Sequence, residues 1–320
     1  MKVQTVTGLV AVEEIQLADG HGHVWIDPPD GLPPSLRLEL KDDKAITAEL
    51  KSFKNAGGSA IVDCQPGGCG RNANMLVRLA EETGVHLTAT TGFHLEKYYP
   101  DDYWLWSAAE TAAADYFVAE LTGGLAEAAS VLPTTLKVGY EGGLEGQSRV
   151  LMEAAAEAAR QTGALLLFHT EQGKNVESLP LFFDRRGVTL ERLYLCHMDK
   201  RPDYGLHREL AQAGVLLGYD TFYRPKYRPE QGVWPLLRHM VEAELADHIA
   251  IGLDFAQASM WRHFGGHPGL MALPDQIVPR LQAEGIDDSV IAKLAGQNVA
   301  RYLARKDEED DHSEDTNRTI

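Results

Sequence analysis

Eight short apolar runs recur along the chain: QLADGHGHVW, SAIVDC, VHLTATTGF, TTLKVGY, ALLLFHT, RLYLCHM, VLLGYDT and IAIGLDF. They lack clean period-two alternation, which is how strands covered on both faces read. Helical patterns lie between them, clearest in ANMLVRLAEETG, SRVLMEAAAEAARQTG, GLHRELAQAG and WPLLRHMVEAEL. Three of these finish at or near Gly84, Gly163 and Gly214, residues suited to helix C-caps. Eight strands alternating with helices predict an α/β fold, a (β/α)8 TIM barrel. A doubly wound sheet is the competitor, but no G-x-G-x-x-G follows the first strand, and PGGCGR after the second is a loop.

Residues 1–16 predict a short N-terminal β-hairpin ahead of the barrel. The last stretch, KDEEDDHSEDTNRTI at 306–320, is charged and aperiodic, and predicts a disordered acidic C-terminal tail. The expected organisation is one barrel domain over residues 1–305 and that tail.

Composition narrows the partners. A formal net charge of −17 argues against nucleic acid and anionic membranes, both of which need a basic face. No apolar run is long enough to span a bilayer, and the first residues lack a signal-peptide pattern. Three cysteines, with Cys64 and Cys69 not in C-x-x-C spacing, give no disulfide framework and fit a reducing cytoplasm. The expected partner is a small-molecule substrate.

The predicted strand ends carry the chemistry. His21 and His23, spaced by two, point to one side of the first strand. Lys137 lies on the fourth strand, His169 ends the fifth, His197 the sixth and Asp254 the eighth. In a parallel barrel these ends converge on the face where active sites sit. Imidazoles and a carboxylate suit zinc first, with manganese or cobalt as alternatives. Lys137 is the odd member, since an ammonium repels a metal ion. Carboxylation by carbon dioxide would turn it into an anionic carbamate able to bridge two metals. A Schiff-base lysine, as in a metal-independent aldolase, is the other chemical reading, and it leaves the histidines without a role.

This order, H-x-H, Lys, His, His, Asp, resembles the amidohydrolase superfamily and within it the phosphotriesterase family. The resemblance covers about residues 3–303, from the leading TVTGLVAVEEI through LKVGYEG, FHTEQGK, CHMDK and GLDFA to LAGQNVARYL. It implies two divalent metal ions, one held by His21, His23 and Asp254 and the other by His169 and His197. Carboxylated Lys137 and a nucleophilic hydroxide would bridge both, with Asp254 accepting the proton. It also implies a homodimer.

Substrate choice is expected in the loops after strands three, six, seven and eight. They supply Tyr98, Lys200, Arg224, Lys226, Tyr227 and Arg262 as candidate substrate contacts. Lys226 sits where the sugar-phosphate lactonase subgroup has a phosphate-contacting lysine, whereas Gln257 and Met260 replace that subgroup's arginine and tyrosine. The strand-eight loop also lacks the apolar character suited to acyl chains. The leading expectation is a lactonase or carboxylic-ester hydrolase for a small polar, sugar-like substrate, phosphorylated or not. A phosphotriesterase or phosphodiesterase would use the same centre. A Schiff-base aldolase and a non-enzymatic ligand-binding barrel are the alternatives of other classes.

Overall fold

The computed structural model describes residues 1–304, so the expectation of a disordered tail at 306–320 lies outside the described residues. An antiparallel hairpin of β1 (Lys2–Thr5) and β2 (Gly8–Ala11) opens the chain. Strands and helices then alternate: β3 (Leu17–Gly22), α1 (Asp43–Asn55), β4 (Gly58–Asp63), α2 (Ala73–Thr83), then β5 (His86–Leu87) and β6 (Thr90–Gly92), followed by α3 (Glu110–Gly123). Next come β7 (Thr135–Tyr140), α4 (Gly146–Thr162), β8 (Leu165–Thr170), α5 (Leu179–Asp184), β9 (Leu193–Cys196) and α6 (Tyr204–Gln212). The series ends with β10 (Leu216–Tyr219), α7 (Val233–Glu242), β11 (Ile249–Ile251) and the closing α8 (Val278–Ala283), α9 (Asp288–Ala292) and α10 (Asn298–Leu303).

The helix boundaries follow local chemistry. Asp42, Asn72 and Asp203 accept a backbone N–H in the first turns of α1, α2 and α6. Gly84 and Gly163 close α2 and α4 in the left-handed conformation. The third apolar run differs from expectation, because it forms two short strands instead of one. At the break the backbone changes partners: Thr88 N–H donates to Ile61 of β4, while the Ala89 carbonyl accepts from Thr134, just ahead of β7.

All strands after the hairpin are parallel, in the orders β3-β4-β5 and β6-β7-β8-β9-β10-β11. At the far edge the chain just beyond β11 returns to β3, with Asp254 N–H donating to the His21 carbonyl at 2.8 Å.

Strand parity sorts the side chains into two cores. Ile61, Leu136, Val138, Leu166, Phe168, Leu193, Leu195, Leu217, Ile249 and Ile251 pack with the helices in the larger one. Their alternates Ala60, Val62, Leu165, Leu167, Tyr194, Cys196, Leu216 and Ala250 form a second, with Val3 and Ile15 from the N-terminal segment and Val299, Ala300 and Leu303 of α10. The second cluster is thus capped at the amino ends of the strands. Polar chemistry is left to their carboxyl ends.

Candidate active site

Parity also explains which functional side chains point inward. Lys137, flanked by outward Leu136 and Val138, and His169, continuing Leu165 and Leu167, share the inner face. Gly92 permits this packing: at φ +97° it lies so close to Lys137 that a Cβ would sit 2.1 Å from the lysine carbonyl oxygen. His197 and Asp254 take left-handed backbone, φ +62° and +52°. For His197, which parity would place outward with Leu193 and Leu195, this turn re-aims the ring. Such conformations are costly for residues with a Cβ and gather at functional sites. In β3, a register irregularity between Asp19 and Gly22 falls at His21.

The result is a compact cluster. His21, His23 and Asp254 each offer a ligand atom within 4.8 Å of the others. Asp254 Oδ1 lies 3.9 Å from His21 Nε2 and 3.6 Å from His23 Nε2. The His169 and His197 rings meet edge-on, with His197 Nε2 3.0 Å from His169 Nδ1. Lys137 is fully buried, and among the described residues neither its Nζ nor His21 Nε2 finds a hydrogen-bond partner. Buried polar atoms without partners are costly, and here two of them sit within one ligand-rich cluster.

Three residues around the cluster contact its rings, Asp220, Gln65 and His94, the last two also lining the cavity, and none of them stood out in the sequence. Asp220, just beyond β10, takes His21 Nδ1 at 2.9 Å on one oxygen and His197 Nδ1 at 2.8 Å on the other. With Nδ1–H donating in each ring, Nε2 is the lone-pair atom of both: that of His21 has no partner among the described residues, and that of His197 faces His169 Nδ1. Gln65 Oε1 does the same for His23 Nδ1 at 2.9 Å. His94 packs its ring 4.7 Å from that of His169 and 4.6 Å from that of Tyr98, and its Nδ1 accepts from Leu95 N–H.

The electrostatics suit ligands. Burial, only partly offset by the hydrogen bond to Asp220, lowers the His21 imidazole to about 3 and keeps it neutral. Burial likewise holds His169 and His94 well below the usual range. Burial opposes ionisation of Asp220 and Asp254, yet the surrounding histidines outweigh it and keep both carboxyls low; Arg224 adds to this at Asp254.

Above the cluster opens a cavity of about 460 Å³. His23, His169, His197 and Asp254 line it, together with Tyr98, Lys200, Arg224, Lys226 and Tyr227. Lys200 and Lys226 place their ammonium groups 5.4 and 4.8 Å from the centre of the Tyr227 ring, and among the described residues neither pairs with a carboxylate. Arg224 donates to both the carbonyl and the carboxylate of Asp254. Arg262 is not brought together with the other candidate contacts. It lies outside the cavity lining, donating to the Pro268 carbonyl and facing Asp275 at 3.8 Å, because the loop folds back on itself there. The cavity also includes Glu171 and a segment after β3, Ile26 to Leu38, that sequence reasoning did not consider.

Fold and site together define a class: α/β proteins whose parallel strands deliver histidines, a carboxylate and a buried lysine to one cavity at their carboxyl ends. The chain belongs to the phosphotriesterase family, which it matches over residues 1–303. It is 26% identical to a phospho-furanose lactonase of Mycoplasmopsis synoviae, over 94% of this chain and 91% of the relative. It is also 26% identical to the human N-acetyltaurine hydrolase, over 84% of this chain and 80% of that one. Among solved structures, a lactonase from Listeria monocytogenes superposes with a TM-score of 0.88 at 23% identity, covering 96% of this chain and all of the other (100%).

Proposed function

We propose that this protein is a binuclear metal-dependent hydrolase that opens a lactone, or cleaves a carboxylic ester, of a small anionic, sugar-like substrate. The observation that carries the reading is the buried, unpartnered Lys137 Nζ amid His21, His23, His169, His197 and Asp254, directly below a cavity with two unpaired lysines. An ammonium there finds no hydrogen-bond acceptor among the described residues. A carbamate on Nζ would offer two oxygens to cations, so the donor set fits two divalent ions such as zinc. Metal ions held by these residues would supply an activated water and a Lewis acid at neutral pH.

The rest is done by the chain itself. Asp220 and Gln65 hold the imidazoles in one tautomer. Asp254, reachable from the cavity, accepts the proton released during attack and returns it towards the leaving group. Lys200 and Lys226 bind the anionic group. Phospho-furanose lactones and N-acetyltaurine, named for two relatives, are both small anions, which supports this assignment. The architecture beneath is read as one closed (β/α)8 barrel. The Asp254–His21 backbone bond at one seam, the partner exchange at Thr88–Ala89 at the other, and the enclosed second core support closure.

Metal analysis followed by a lactone panel, with and without a terminal phosphate, tests the reading. Two metals per chain, lactone turnover, and loss of both in Lys137→Ala are expected. Fewer than two metals in wild type, with activity intact in Lys137→Ala, would overturn it.

A further inference from the structure

The cavity is chemically lopsided. Its cations come from the connections after β9 and β10, but five of its lining residues, Ile26, Pro28, Leu32, Leu36 and Leu38, come from the single connection between β3 and α1. Ile26 and Pro28 are buried, whereas Leu32, Leu36 and Leu38 are only half-buried, Leu38 also packing against the larger core. In that segment Ser35 is the one lining residue with a polar side chain. A fully hydroxylated ligand would leave its hydroxyls without partners along this wall, whereas an alkyl group would release the water held against it.

We infer that the substrate is amphiphilic: its anionic group lies at Lys200 and Lys226, and a short alkyl or acyl substituent lies on the wall formed by Leu32, Leu36 and Leu38. The inference rests on the proposed reading for the anionic group and adds the apolar half. It also relocates the question of acyl specificity. The strand-eight loop contributes Asp254, Ala256 and Gln257 to the cavity lining, with no large apolar side chain among them, so the apolar contact comes from the first connection instead.

Binding of n-alkanesulfonates, from methane- to hexanesulfonate, to the metal-loaded full-length protein tests this by calorimetry. Sulfonates carry one fixed negative charge and are weak metal ligands, so the series varies the chain alone. Affinity is expected to rise about three- to fourfold per methylene until the wall is covered, from the transfer free energy of a CH₂ group. Leu32→Ser with Leu36→Ser should flatten that gradient while leaving methanesulfonate affinity unchanged. Leu36→Trp, which keeps the site apolar but fills it, should exclude hexanesulfonate and still admit methanesulfonate. Lys226→Ala should weaken every member by a similar factor and preserve the gradient.

Equal affinity along the series in wild type, or an unchanged gradient in the serine variant, overturns the apolar subsite. Insensitivity of methanesulfonate to Lys226→Ala overturns the anionic one. Because the readout is equilibrium binding, a protein that fails to hydrolyse any lactone would still show the gradient, so failure of the hydrolase reading is a separate result.

Discussion

Arg224 Nη2 lies 3.1 Å from Asp254 Oδ2 and also bonds the Asp254 carbonyl, so one guanidinium holds both ends of a residue in left-handed backbone. The two carboxylate oxygens have different neighbours: Oδ1 faces His21 and His23, and Oδ2 faces Arg224 and, at 3.9 Å, His197 Nδ1. Charge-assisted bonds of this kind are about twice as strong as neutral ones, and here Nη2 alone donates both.

Arg224→Ala is therefore expected to lower kcat about tenfold, a loss of roughly 1.4 kcal/mol in transition-state stabilisation, with metal content unchanged. Arg224→Lys should recover only part, since the ammonium keeps the charge but sits on a shorter stem than Nη2. Steady-state kinetics with metal analysis of each variant checks this. A wild-type kcat in Arg224→Ala would show that Asp254 holds its position unaided.

Asp220 presents one oxygen to each of two histidines, so Asp220→Asn must replace one acceptor by an N–H that opposes an Nδ1–H. One ring then loses its tautomer. Removing such partners typically costs 10- to 100-fold in metal affinity, and a loss in that range is expected from chelator competition. An affinity equal to wild type would mean that the ring orientations are set by packing alone.

Lys137 was legible as an inward-facing residue because strand parity leaves a visible trace, apolar neighbours on either side of a lone polar residue, and His169 because it ends the apolar run ALLLF. Asp220 left none. Its partners lie 199 and 23 residues away, and it presents itself to the nitrogens that face away from a metal. The strand-helix alternation was equally readable, except at Thr88–Ala89, where the chain changes neighbours without any change in composition. Arg262's place outside the cavity lining was not legible, because charge in a loop says nothing about direction. The Ile26–Leu38 wall escaped notice for the opposite reason: DPPDGLPP is irregular and proline-rich, and the alternation of Leu36, Leu38 and Leu40 that follows it does not show that two of these leucines face a cavity.

Acid stability should depend on a buried ion pair remote from the cavity. Arg71 and Glu120 are both almost fully buried and joined at 2.8 Å, with Glu127 and Thr91 completing the network. Burial raises the Glu120 carboxyl, but the hydrogen bond and charge of Arg71 outweigh it and leave the group below its ordinary value. A carboxyl lowered in the folded state contributes stability above its unfolded pKa, about 4.3, and that stability is lost as pH falls through the folded value. Glu120→Gln should therefore cost about 3 kcal/mol near pH 7, in the range for breaking a buried pair, and clearly less near pH 3. Urea unfolding at both pH values reads the difference, and an equal cost at each would exclude this carboxylate as the source.

Glu49 ties the substrate side of the molecule to its frame. This fully buried carboxylate on α1 accepts His263 N–H, His263 Nδ1–H and Leu270 N–H, at 2.8–2.9 Å. These donors bracket the loop that begins beside Ala256 and Gln257 in the cavity. Glu49→Ala leaves two backbone N–H groups and an imidazole without their acceptor, each costing about 1–3 kcal/mol when it stays buried. The loop should consequently loosen before the parallel strands and their helices do. Limited proteolysis is expected to cut first within residues 256–270, with KM rising more than kcat falls, while metal content stays at the wild-type level. Glu49→Gln keeps one acceptor oxygen and should restore part of the protection. Cleavage at the wild-type rate in Glu49→Ala would show that the loop is held by Trp261 and its packing instead.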